Sequence, residues 1–321
     1  MAPDPHRVTI REVAADAGLS IATVSRVLTG SRAVSPDIAR AVKESAARLG
    51  YRADSIGRSL RTRRTDTVGL VIPDIANPFF PSLVQAIERA ARERGLSVLI
   101  ADAGNDPEVE HAALRSLIDH RVDAVLISPT HSEASRAALS ESAATVVTVQ
   151  VDRVIDRALA HARVDQSQPV RDLVEHLRST GRHRLAFIGQ PSTMATSFER
   201  ESAFRALMGT SARVVPATTS AASGRDAARD VMQRWPDVEA IICANDLIGV
   251  GALQELRSTS GTGHIAVSGF DDTLIAEAMG LTSVRQPVDE LARAALSAAL
   301  DADAAQAVEL QSTVVYRDST R

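Results

Sequence analysis

From residue 67 onward, short apolar runs and amphipathic stretches take turns with a regularity that few folds can use. TVGLVIPD precedes a helical pattern near 79–94, LSVLIADA one near 107–120, DAVLISPT one near 132–143, and TVVTVQVD closes the series. The rhythm restarts with RLAFIGQP, RVVPATT, EAIICAND and HIAVSGFDD. Such alternation requires parallel strands joined by helical crossovers, so it predicts doubly wound sheets, and two series predict two lobes. Ligands of these sheets bind beyond the carboxyl ends of strands, which makes the residues closing each strand the first candidates for a site.

The first 50 residues carry helix punctuation and no strand pattern. Thr9 with Glu12 three residues later predicts a capping box, opening a helix that runs through Ala17 and ends at Gly18. Ser20 is placed to cap a second helix to about Leu28, with Gly30 closing it. Ser35-Pro36 reads as a cap with proline at the first helical position of a third helix, which reaches Leu49 before Gly50. Ile10, Val13, Ala14, Ala17, Val24, Val27, Leu28, Ile38, Val42, Ala46 and Leu49 fall at helical spacing and predict a small core. Three helices, the first two joined by a tight glycine-containing turn, describe a helix-turn-helix unit. The expected division is a helix-turn-helix domain over 1–51, a hinge over 52–65 and a two-lobed domain over 66–321.

Charge agrees with that division. Residues 1–64 hold twelve Lys and Arg against six Asp and Glu, so they carry +6 while the remainder carries −10. A basic head on an acidic body fits a nucleic-acid reader with an attached sensor, although charge alone does not decide it. No apolar run has the length of a membrane span, and MAPDPHRVTI has no signal-peptide core. The single cysteine, Cys243 in AIICA, reads as a buried structural thiol and suits a reducing cytoplasm. The chain shows no glycine-rich phosphate loop, metal-ligand cluster or nucleophile elbow, so neither enzyme, cofactor nor metal is expected. A solute-binding protein, the competing class, would need an export signal and no basic helical head.

VTIREVAADAGLSIATVSRVLTGSRAVSPDIARAVKESAARLGY, followed by TVGLVIPDIANPFF, then RESAF, CANDLIGVGALQEL, VSGFDDT, LTSVRQP and VVYRDST, resembles the lactose/galactose-repressor (LacI/GalR) family across essentially the whole chain. The resemblance implies an all-α helix-turn-helix domain joined to a two-lobed, periplasmic-binding-protein-like α/β domain. It implies a transcriptional regulator, generally a repressor, that binds a near-palindromic double-stranded operator as a homodimer under control of a small-molecule effector such as a sugar. The tail from residue 301 lacks leucine heptads, which favours a dimer over a tail-built tetramer.

Within LSIATVSRVL, Ile21 and Ala22 match base-facing positions, and their methyl groups suit thymine. Arg26 is the side chain able to grip a guanine with two hydrogen bonds, worth about 1–3 kcal/mol of discrimination. Thr23 and Ser25 are expected on phosphates. Thr9, Ser20, Ser35 and Tyr51, with Ser55, Arg58 and Leu60 of the hinge, complete the expected DNA-facing set, Leu60 as a wedge between base steps. The hinge departs from the family pattern at Ala53, Asp54 and Gly57, and Gly57 lowers helix propensity by up to ~1 kcal/mol relative to alanine.

For the effector, the resemblance points to Asp74, Asn77, Phe79 and Phe80 after the first strand, Asp152 and Arg153 after the fourth, Arg200, Asn245 and Asp271 in the second lobe, and Gln286 near the crossover back. Carboxylates, amides and a guanidinium facing an aromatic ring suit a polyhydroxylated ligand. Several readings stay open: Asp74 and Asp246 could simply cap helices, Asp272 could bond within its turn, and Phe79 or Phe80 could be core. Arg182 and Arg184 are expected to be solvated, and Trp235 to lie outside the pocket. Gln166 and Pro169 replace a more usual asparagine and glycine, which puts contacts near Asp165 in question.

Overall fold

In the computed structural model, which describes residues 8–29, 34–51 and 64–321, the capping box at Thr9 is closed in both directions. Thr9 Oγ1 accepts from the Glu12 amide at 3.4 Å, and Glu12 accepts from the Thr9 amide at 2.7 Å. Helix α1 (Ile10–Asp16) follows, and Gly18 takes the left-handed conformation at φ 63° that lets the chain reverse. Ser20 Oγ accepts from the Thr23 amide at 3.1 Å to start α2 (Ile21–Thr29). Helix α3 (Pro36–Leu49) differs from expectation at its start: Ser35 makes no side-chain cap. The fixed φ of Pro36 and the Ser35 carbonyl, which accepts from Ala39 at 3.0 Å, begin this helix instead. Val13, Ala14, Val24, Val42 and Ala46 form the buried centre, and Ser45 and Arg48 both donate to Asp16 at 2.5 Å, tying α3 to the end of α1. Gly30, the hinge candidates Ser55, Arg58 and Leu60, and the departures at Ala53, Asp54 and Gly57 lie outside the described residues.

The chain divides into two compact units, Met1–Thr65 and Asp66–Arg321. The second begins with β1 (Thr67–Ile72), α4 (Phe79–Glu93), β2 (Ser97–Asp102), α5 (Pro107–Asp119), β3 (Ala124–Ile127), α6 (Ser135–Thr145), β4 (Val147–Val151) and β5 (His161–Val164). It continues through α7 (Ser167–Ser179), β6 (Leu185–Gly189), α8 (Ala195–Met208), β7 (Arg213–Pro216), α9 (Ala221–Arg234), β8 (Ala240–Cys243) and α10 (Asp246–Ser258). Strand β9 (Ala266–Ser268), α11 (Leu274–Met279), β10 (Ser283–Arg285), α12 (Val288–Leu300), β11 (Ala307–Leu310) and β12 (Thr313–Val315) complete it.

The first lobe is a sheet of order β11-β5-β4-β3-β1-β2 and the second one of order β7-β6-β8-β9, every pairing parallel. Leu70 on β1 stands level with Ile100 on β2 and Leu126 on β3. Leu83, Ile87, Leu291 and Leu296 from α4 and α12 bury one face of this sheet, and Leu114 and Leu139 from α5 and α6 bury the other. The tail is part of the fold: β11 extends the first sheet beside β5, and β12 pairs antiparallel with β10. The chain therefore crosses between lobes three times, after β5, after β10 and after β11.

In the second lobe, α9 and α10 touch backbone to backbone. A Cβ on Gly251 would lie 2.0 Å from the Ala221 carbonyl oxygen, and one on Gly224 would lie 2.3 Å from that of Ile248. Only glycine fits either position. Cys243 is fully buried on β8, and burial pushes its thiol far above the ordinary range. Among the described residues no helix is long and apolar enough to cross a membrane.

Candidate functional site

Helix α2 presents Ile21, 47% exposed, with Ala22 and Arg26 exposed as well. Ala22 and Arg26 are four residues apart, so they share one face a turn apart. Thr23 and Ser25 are half-buried. The hydroxyls of Thr9, Ser20 and Thr23 first serve the helix starts, since Ser20 and Thr23 also bond each other at 2.8 Å. Ser35 is exposed, whereas Tyr51 packs against the small core and donates its amide to Ala46 at 2.8 Å.

The second constellation lies in the two-lobed unit, where strand ends of both sheets converge. One cavity is lined by Asn77, Phe79, Phe80, Asp152, Arg153, Arg200, Asn245, Asp271 and Gln286, together with Gln190 and Thr196. Of the ten effector candidates only Asp74 stays outside. Its carboxylate accepts from the Ala76 amide at 2.9 Å and the Asn105 side chain at 3.0 Å, organising the turn after β1.

Arg200 on α8 is the centre of the cavity and is 4% exposed. Its Nε donates to Gln166 at 2.8 Å, its Nη1 to the Ala244 carbonyl at 2.5 Å, and its Nη2 lies 3.7 Å from Asp271. The guanidinium stacks 3.5 Å above the Phe270 ring. Gln166, the departure from the family pattern, thus becomes a structural partner of the key cation, and its own amide donates back to Val164 at 3.0 Å. Pro169 sits buried in the first turn of α7. Asp165 accepts from Ser167 at 2.8 Å, so this turn is well formed.

Asp152 and Asp271 both take positive φ, 66° and 104°, backbone states that cost energy outside glycine and that collect at functional sites. Gln286 donates to Asp271 at 2.6 Å. Burial is the largest influence on every ionisable group here. It pushes Asp152 up, Asp271 up to about 8, and Arg153 and Arg200 down, while opposite charges nearby hold each shift back. Phe79 and Phe80 are both buried and meet edge to face at 5.1 Å, and Arg153 lies 5.4 Å over Phe80, so core and platform coincide.

Other expectations are revised. Asn245, not Asp246, caps α10, accepting from Ile248 at 2.9 Å. Asp246 accepts from the amide and hydroxyl of Thr273 at 2.7 and 2.8 Å and from Ser283 at 2.5 Å, locking the Asp271 loop. Asp272 pairs with Arg285 and Arg317, both at 2.7 Å, rather than within its turn. Arg184 bonds Asp237 and Glu239, and Arg182 donates to the Arg321 carbonyl at 3.1 Å, so neither is merely solvated. Trp235 ends α9 outside the cavity.

Four buried atoms in the lining have no hydrogen-bond partner among the described residues: Asp152 Oδ1, Arg153 Nε, Asn245 Nδ2 and Gln286 Oε1. Each buried unpaired group costs about 1–3 kcal/mol. Two are acceptors and two are donors, and a sugar hydroxyl answers both because it donates and accepts. The cavity itself is only about 10 Å³, room for one water. Hydrogen bonds between the lobes accompany that closure. The Ser132 amide donates to the Thr193 carbonyl at 2.8 Å, and Arg163 on β5 donates to Glu199 on α8 at 3.0 Å.

Residues 9–54 match the bacterial regulatory proteins of the lacI family, and residues 65–307 match the periplasmic binding proteins and sugar binding domain of that family. The HTH-type transcriptional regulator CelR of Thermobifida fusca is 34% identical over 307 residues, covering 90% of this chain and 89% of that one. A solved complex of the regulator CelR with cellobiose aligns with a TM-score of 0.70 and 31% identity, over 98% of this chain and 100% of the other. The lac repressor dimer bound to operator and the anti-inducer ONPF aligns with a TM-score of 0.87 over 98% and 99% of the two chains, and at 22% identity this shows the shared fold.

Proposed function

The chain belongs to the lacI family of bacterial regulatory proteins, DNA-binding transcriptional regulators rather than enzymes, and from that premise we propose that it is a repressor that grips a near-palindromic operator as a homodimer and takes a sugar or related metabolite between its lobes. Ile21 and Ala22 read thymine methyls, Arg26 reads guanine, and Thr23 and Ser25 set the phosphate register. Arg200, Asp271, Asn245, Asp152, Arg153 and Gln286 hold the effector's hydroxyls, and the family's place of work is the cytoplasm. The observation that carries this reading is the set of unpartnered donors and acceptors around an immobilised arginine in the cleft.

Dimerisation is supported by the edge strand β2. Leu99 and Ile100 on it, with Ile75 and Val109 beside its carboxyl end, are each between 39% and 48% exposed, more apolar surface than an isolated edge normally leaves uncovered. Allostery is then a linkage: a ligand that binds one lobe arrangement better shifts the chain toward it, and the DNA affinity changes with it.

The test joins two measurements on the intact protein. A panel of sugars is screened by thermal shift, where a tight ligand raises Tm by mass action. Each one that raises Tm is then added to a fluorescence-anisotropy titration on an operator selected from genomic fragments. At least one should change the operator Kd. If every sugar that stabilises the protein leaves DNA affinity unmoved, the reading fails.

A further inference from the structure

Beside the closed inner cavity lies a second one of about 500 Å³, within the span of about 300–1,000 Å³ typical of small-molecule sites. Phe79, Asp271 and Gln286 line both cavities. The partition between them is therefore three side chains, the Phe79 ring beside Asp271 and Gln286, the last two joined by one 2.6 Å hydrogen bond. The unpartnered oxygen of Gln286 belongs to this partition. The outer chamber draws on both lobes, through Ser82 of α4 and Asp272 of the 271–274 loop, and on two of the crossovers, through Gln286 and Gln311.

We propose that the effector is a neutral two-unit ligand, a disaccharide or glycoside, whose first unit occupies the inner site and whose second unit occupies this outer chamber. The inference rests on the sugar reading above and extends it. Two features set the ligand class. The chambers share the Asp271–Gln286 wall, so a ligand that takes the place of that one hydrogen bond gains two hydrogen-bonding groups between its units. The lining of the outer chamber offers hydroxyl, amide and carboxylate groups from Ser82, Gln311 and Glu290, which bond sugar hydroxyls. Among the described residues its one lining cation is Arg285, which pairs with Asp272 at 2.7 Å, while Asp289 and Glu290 line the same chamber. Carboxylates around a phosphorylated unit would repel it.

The experiment is calorimetry on the full chain with glucose and galactose as single-unit probes, and cellobiose, maltose and lactose as two-unit probes. At least one two-unit probe should bind tenfold or more tighter than its component monosaccharide. Ser82→Trp on α4 and Thr313→Trp on β12, each adding a ring to the lining of the outer chamber, should each remove that advantage and weaken the two-unit probe tenfold or more. Circular dichroism on both variants identifies a folding failure, and either one suffices. Monosaccharides binding as tightly as disaccharides, or plugs that leave the two-unit Kd unchanged, overturn the inference while the sugar reading stands. No binding by any two-unit probe overturns the inference, while the wider reading is decided by the sugar panel and the operator titration. A disaccharide 6-phosphate that binds tighter than its neutral parent overturns the neutral assignment.

Discussion

Arg26 and Arg200 carry the same guanidinium under opposite conditions. Arg26 stands exposed on α2, over a core of five small buried residues in a unit of three short helices. Arg200 is 4% exposed, stacked on Phe270 and hydrogen-bonded by Gln166 and the Ala244 carbonyl, with the second lobe's large core behind it. The contrast follows from the size of the partner. A duplex brings its own charges and must be reached on a solvated surface, so its reader can be thin and its specificity can hang on a few exposed side chains. A small ligand must be enclosed, so its reader buries charge and needs every buried polar atom answered. Binding and folding are therefore separable in the head and entangled in the cleft.

That contrast can be broken at several places. The largest effect is expected from Arg200→Ala, which strands Asp271 and Gln166. Removing one member of such a buried network costs about 3–5 kcal/mol, so Tm and effector binding should fall together in calorimetry. A variant with full thermal stability and no effector binding would show the cleft to be as separable as the head. Arg26→Ala comes next. It should weaken operator binding by about 1–3 kcal/mol and flatten base preference at one position, with a smaller shift of the melting curve than Arg200→Ala gives. A matching loss of stability would erase the distinction from the other side.

A pH series sharpens the comparison further. Burial raises Asp271 to about 8, above its unfolded value of about 3.9. The folded chain therefore holds this proton more tightly, and the stability linked to it is complete below the unfolded pKa and is lost as pH rises toward 8. The slope is at most about 1.4 kcal/mol per pH unit. Between pH 6 and 9 the wild type should lose Tm relative to Asp271→Asn; parallel curves would mean that this carboxylate stays ionised throughout. The smallest effects belong to the helix starts. Thr9→Ala should cost about 1 kcal/mol in urea unfolding, and Ser35→Ala close to nothing, because of these two residues Thr9 alone makes a side-chain cap.

These two regions also differed in how far the sequence could be read. Strands β1 to β4 and β6 to β9 coincide with apolar runs: β1, β3, β6 and β8 need them because they are buried on both faces, whereas β2 carries its run at an exposed sheet edge. β5 (HARV), β10 (SVR), β11 (AVEL) and β12 (TVV) are short or carry charge, and they exist only through partners far away in the chain, as β11 does beside β5. Local pattern holds no trace of such pairing. In the cleft, the family resemblance, with strand ends as its guide, reached nine of the lining residues. It could also have reached Gln190, which directly follows β6 in RLAFIGQP. Thr196, in the first turn of α8, has no local mark. Gln166 was visible only as an oddity, since its use depends on where Arg200 arrives from 34 residues away. In the head, Ser35 shows the converse failure: a good capping residue idle because proline does the work.

The longer amide at position 166 has an energetic consequence. An arginine side chain free to sample its rotamers gives up about 1.5–2 kcal/mol of entropy when it is fixed. With Gln166, the Ala244 carbonyl and the Phe270 ring already holding Arg200, that loss is charged to folding and not to ligand capture. A glutamine that touches no ligand thereby tightens binding, through disorder already surrendered.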